Sequence, residues 1–128
     1  MYYLFSLVYV VFLVNMSTEA EVEQFLKDFK FKLSFYGVIF MQRDKNLKTL
    51  IALELTTASR STMLNELKVQ DYYKGPSLDY DNGPELWEFG INIKQNDVYI
   101  KITMGQIDRP VICISFHLAE RNIKYPFK

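Results

Sequence analysis

The sequence predicts an α+β fold: an antiparallel sheet of three to four or more strands, with two to three helices packed on one face. Three observations predict it. Val22, Phe25, Leu26, Phe29 and Leu33 recur at helical spacing in the first half. Three runs in the second half, Leu86 to Lys94, Asp97 to Met104 and Val111 to Leu118, are rich in branched and aromatic residues and read as strands. Finally, 128 residues with 49% hydrophobic and 16% aromatic side chains suit one domain with its own core, not a disordered chain.

The chain opens on MYYLFSLVYVVFLV, 14 residues without a charge. A bilayer span takes about 20, and the charged start and cleavage site of a secretory signal are missing. Residues 1–15 are therefore read as an apolar extension from an over-extended start, with the domain running from Met16 to Lys128. A membrane anchor or inefficient signal is the alternative. Ser17 or Thr18 can cap a helix over residues 18–33, with Glu19, Glu21 and Glu23 in its first turns, where the helix dipole favours anions. Tyr36 to Met41 reads as a short strand, Arg43 to Asn46 as a turn, and Leu47 to Leu55 as a short helix. Thr56 or Thr57 starts another helix, supported by Met63, Leu64 and Leu67. Asp71 to Pro84, DYYKGPSLDYDNGP, reads as a long loop of the kind that is often functional. Three strands follow, and the last ten residues look extended.

Strand side chains alternate between faces, so keeping apolar residues together fixes the register. Pairing Met104 with Ile112, Ile102 with Ile114 and Ile100 with Phe116 puts all of them on one side. Tyr99 then faces His117, Lys101 faces Ser115, and Thr103 faces Cys113. A two-residue turn at Gln95-Asn96 sets Lys94 opposite Asp97, Asn92 opposite Tyr99, Gly90 opposite Lys101 and Glu88 opposite Thr103. Trp87 points to the apolar side, beside Met104. The other face gathers Glu88, Asn92, Tyr99, Lys101, Ser115 and His117, the chain's one histidine. The plain explanation is a solvated sheet face with a weak Glu88–Lys101 ion pair. The sharper one is a catalytic cluster.

Charge adds little by itself. Lys and Arg total 15, as do Asp and Glu, and the balance holds in each half. A nucleic-acid binder usually shows a basic excess, so phosphate recognition would need a few placed cations. The lone cysteine, Cys113, sits in an apolar run and reads as a buried free thiol. A reducing cytoplasm is the expected compartment.

Several segments resemble the MqsR family of bacterial toxins, in a Bacteroidetes-type branch. They are DYYKGP at 71–76, Leu-Trp-Glu-Phe-Gly at 86–90, VYIKIT at 98–103, CISFH at 113–117, Ala119-Glu120 and Tyr125-Pro126-Phe127. Their order and spacing carry the likeness, over roughly residues 18–128. The resemblance implies a RelE-like fold and a type II toxin: an endoribonuclease that cuts mRNA without a metal or cofactor. It also implies a cognate antitoxin partner, zinc-binding with a helix-turn-helix. Family active-site positions fall on Lys74, Glu88, Tyr99 and His117. Glu88 stands where the best-known member has glutamine, and His117 where it has lysine. These departures, and the neutral net charge, set this chain apart from the family pattern.

RNA carries its own nucleophile, the 2′-OH. Cleavage needs a base for its proton, an acid for the 5′-oxygen and a cation at the phosphorus. Glu88 or His117 is the expected base, and His117 the expected acid. Tyr99 would bond the phosphate or orient the imidazole, while Lys74 and Lys101 would balance developing charge. Lys101, Asn92 and Ser115 are the expected RNA contacts. A non-catalytic interaction module, or a decayed toxin that only binds its antitoxin, is the competing expectation.

Overall fold

The computed structural model describes residues 16–79 and 83–128. The expectation for residues 1–15 lies outside this range.

Thr18 caps helix α1 (Glu19–Tyr36) through a capping box, accepting from the Glu21 N–H at 3.2 Å while Glu21 Oε1 accepts from the Thr18 N–H at 2.9 Å. Val22, Phe25, Leu26, Phe29 and Leu33 form its buried stripe. The helix runs past residue 33 and stops at Gly37, whose φ of 78° suits a residue without a side chain. Tyr36, expected to begin a strand, is therefore its last helical residue. Strand β1 (Val38–Phe40) is correspondingly short. Helix α2 (Asp44–Ala52) absorbs the stretch expected as a turn, and α3 (Thr57–Asn65) starts from a capping box between Thr56 and Ser59. A 3₁₀ turn, Val69–Asp71, leads into β2 (Tyr72–Asp79), β3 (Gly83–Ile93), β4 (Asn96–Thr103) and β5 (Val111–Leu118).

The fold is α+β. Five strands form one mixed sheet in the order β1-β5-β4-β3-β2, with three helices packed against it. Only the β1–β5 pair is parallel. The long loop expected from Asp71 to Pro84 is a correction: most of it is strand. Its glycine and proline mark irregularities in an edge strand. The β2–β3 register shifts three times, and proline is tolerated where no ladder hydrogen bond is needed.

Two register expectations change. The β3–β4 turn is Lys94-Gln95, both at positive φ (50° and 70°), one residue earlier than expected. Asn92 Oδ1 accepts from the Gln95 N–H at 3.1 Å, and Lys94 Nζ donates to the Leu53 carbonyl at 2.7 Å. The pairing therefore slips by two. Glu88 faces Lys101, Gly90 faces Tyr99 and Asn92 faces Asp97. A slip of two preserves every residue's face, so the apolar pattern cannot distinguish the two registers. Between β4 and β5, Tyr99↔His117, Ile100↔Phe116 and Lys101↔Ser115 pair as expected, but a bulge then brings Cys113 opposite Ile102 and Ile112 opposite Thr103.

One face of the sheet and α1 make the core. Phe29, Phe89, Ile100, Ile102 and Phe116 are fully buried, and Phe25 stacks on Trp87 with ring centroids 4.2 Å apart. Trp87 lies on the apolar side as expected, opposite Ile102 and not Met104. Each such side chain contributes about 1.5–3 kcal/mol by burial, which holds the faces apart.

Helix α2 guards the β5 edge beyond β1. Asn46 Nδ2 donates to the Ile114 carbonyl at 3.0 Å, and its Oδ1 accepts from the Phe116 N–H at 2.9 Å. Three residues on, Thr49 Oγ1 accepts from the Leu118 N–H at 2.9 Å. Both side chains are buried and take over the backbone pairing that β1 leaves unfinished. No described helix is long and apolar enough to cross a membrane.

Candidate functional site

The strand registers build a transverse row across four strands: Lys74 faces Glu88, Glu88 faces Lys101, and Lys101 faces Ser115. Beside it runs a second row, Gly90–Tyr99–His117. Tyr99 is thus the diagonal neighbour of Glu88, a position that a long aromatic side chain can bridge. Its phenol donates a short hydrogen bond to Glu88 Oε1. The Tyr99 and His117 rings lie with centroids 5.3 Å apart.

These groups open into one cleft of about 230 Å³. Tyr73, Lys74, Glu88, Tyr99 and His117 line one part of it, and residues 119–123 the other. All four expected catalytic residues therefore meet there. The three expected RNA contacts do not line it. Ser115 is buried, Lys101 is half-buried in the transverse row, and Asn92 stabilises the β3–β4 turn.

The protonation of the site follows from its bonding. Burial, and then the hydrogen bond to Glu88, push the Tyr99 phenol well above its ordinary range. Tyr99 is therefore a neutral donor. His117 Nδ1 lies 2.9 Å from the Leu118 carbonyl, which can only accept. Nδ1 thus carries a hydrogen, and Nε2 is left to accept or deliver a proton. Glu88 is only 8% exposed, so its carboxylate is shielded from bulk water.

Sequence reasoning missed the wall of the cleft. The extended look of the final ten residues gave no hint of where they go. They cross the polar face over Gly90, where an added Cβ would come within 2.5 Å of Tyr125 Oη and 2.6 Å of Ile123 Cδ1. Gly90, expected opposite Lys101, pairs with Tyr99 and is the seat of the tail. The tail brings Arg121 and Asn122 to the cleft. Its Glu120 pairs with Lys45, which holds the Glu120 carboxyl below its usual range. Arg43, ahead of α2, acts on Tyr99 electrostatically in the opposite sense to Glu88. Tyr73 was legible only as part of DYYKGP; the ring lies 5.1 Å from Lys74 Nζ.

No family model, curated protein or solved structure matches this chain. The likeness to MqsR toxins rests on the motifs quoted above. Chemically, the cleft offers a shielded carboxylate, an imidazole with one free nitrogen, a neutral phenol and flanking cations. Such a set can take a proton from one oxygen and return one to another beside a bound anion.

Proposed function

We propose that this protein is an endoribonuclease that cleaves mRNA by attack of the substrate's own 2′-OH, acting as the toxin of a type II toxin–antitoxin pair. The observation that carries the reading is the meeting of Glu88, Tyr99, His117 and Lys74 in one open cleft. Glu88 takes the 2′-OH proton. Tyr99, donating to Glu88, fixes that carboxylate. His117 Nε2 protonates the departing 5′-oxygen, and Lys74 steadies the charge that builds on the phosphate. The products are a 2′,3′-cyclic phosphate and a 5′-hydroxyl. At about 230 Å³, the cleft is smaller than the roughly 300–1,000 Å³ of typical small-molecule sites, and suits one link of a polymer lying across it. The neutral net charge is no obstacle, because Lys45 offsets Glu120 and leaves Lys74 and Arg121 to face the substrate.

The test is cleavage of RNA by purified protein in EDTA. His117→Ala is expected to lower the rate by about 10²–10⁴. Undiminished cleavage by both His117→Ala and Tyr99→Phe would remove the assignment.

A second reading, a module that only binds a protein partner, is favoured by a different surface. Phe31, Phe35 and Ile107 are 70%, 73% and 88% exposed around one apolar groove, and patches of this kind mark protein contacts. The cognate antitoxin is the proposed partner under either reading. Growth arrest on expression, relieved by the antitoxin and abolished by His117→Ala, supports the nuclease. Stable complex formation without arrest supports the module.

A further inference from the structure

We propose that Arg121, presented by the C-terminal tail, grips a phosphate of the bound strand in this cleft. The inference deepens the nuclease reading and rests on it for the identity of the ligand as RNA.

The tail lacks regular secondary structure after Leu118, yet it is pinned along its length. The Ala119 N–H donates to the Asp97 carbonyl at 2.9 Å, and Glu120 pairs with Lys45. Ile123 and Tyr125 sit on Gly90, and Phe127 stacks on Tyr72 with centroids 5.5 Å apart. Arg121 therefore follows a tethered residue and precedes a seated one. It lines the cleft together with His117 and Glu88.

Lys74, the other cation that lines the cleft, is the one assigned to the charge that builds on the reacting phosphate. Lys45 is spent on Glu120, and Lys101 lies in the transverse row between Glu88 and Ser115. Lys128 lies over the Tyr125 ring, 4.4 Å from its centroid. Among the described residues, Arg121 makes no ion pair and no side-chain hydrogen bond. A guanidinium is a planar fork of donors that matches two phosphate oxygens at once. A free one, held on an anchored segment beside a proton-transfer pair, fits the recognition of a phosphodiester. Arg121 acts inside the protein only as the last and weakest of the charges that favour the Glu120 carboxylate, after Lys45 and His117, so its loss should change binding and leave the fold intact.

The experiment compares wild type, Arg121→Ala and Arg121→Lys. Binding is read by anisotropy of a labelled 2′-O-methyl oligonucleotide, which cannot be cleaved. Cleavage of the matching RNA is read in EDTA. Arg121→Ala is expected to weaken binding and raise KM about tenfold, the loss of one charge-assisted contact. Its kcat should stay within about threefold and its melting temperature should not move. The slope of log binding constant against log salt should become shallower by about 0.7, one single-strand phosphate contact. Arg121→Lys should recover part of the affinity. Wild-type binding, KM and salt slope in Arg121→Ala would overturn the proposal. Tight wild-type binding without cleavage would refute the nuclease reading and leave the Arg121 comparison decisive through binding alone. Failure of the wild type to bind would refute both.

Discussion

Tyr99 decides more about this site than its single hydrogen bond suggests. Its phenol is raised above the ordinary value near 10 by burial and by Glu88. A raised folded-state value means the folded protein holds that proton more tightly. The resulting stability is fully present below about pH 10, and is lost as pH climbs from there towards the folded value. Wild type should therefore lose stability above pH 10 more steeply than Tyr99→Phe, as read from urea midpoints across pH. In the cleavage assay, Tyr99→Phe should lower kcat by about 10–100-fold, since it frees the Glu88 carboxylate. The shape of its pH profile between pH 6 and 9 should not change, because the phenol stays protonated throughout. An alkaline limb lost on substitution would mean that Tyr99 ionises in catalysis.

At the scale of elements, side chains complete what short strands leave undone. Asn46→Ala would strand the Ile114 carbonyl and the Phe116 N–H in the interior. A loss of roughly 2–4 kcal/mol is expected, from two unsatisfied buried groups; a urea midpoint within error of wild type would contradict it. Gly90→Val should unseat Ile123 and Tyr125. The expected signs are faster proteolytic removal of the last residues and a raised KM, with β3 still paired to β4. The same scale explains what could be read from sequence. The stripe of α1 and the facing of Tyr99 and His117 were legible, because burial enforces parity. The β3–β4 slip of two was not, because parity is blind to it. The bulge near Ile114 was hidden too, since Cys113 and Ile114 are both at home in a core. Asn46 looked like a turn residue because its two β5 partners lie 68 and 70 positions away in the chain. The four catalytic candidates were found through alternation and motif; the tail that closes their cleft sends no periodic signal.

For the molecule as a whole, Cys113 reports on integrity. It is a free thiol, 1% exposed, and burial pushes it up to about 12. At pH 8 it should resist a thiol-specific reagent in native buffer. Labelling should rise with urea along the same curve as the loss of helix signal. Labelling in native buffer at the speed of an unfolded thiol would show that the core opens locally.

The seating of the final residues over Gly90 also bears on synthesis. A chain growing from its N-terminus makes all five strands before residues 119–128 exist, and a ribosome shelters the newest residues of any nascent chain. Residues 119–128 are therefore made after every strand they rest on, and their seating depends on β3 already presenting Gly90. Any ligand that needs residues 119–123 as one side of the cleft can bind only once that seating over Gly90 is complete.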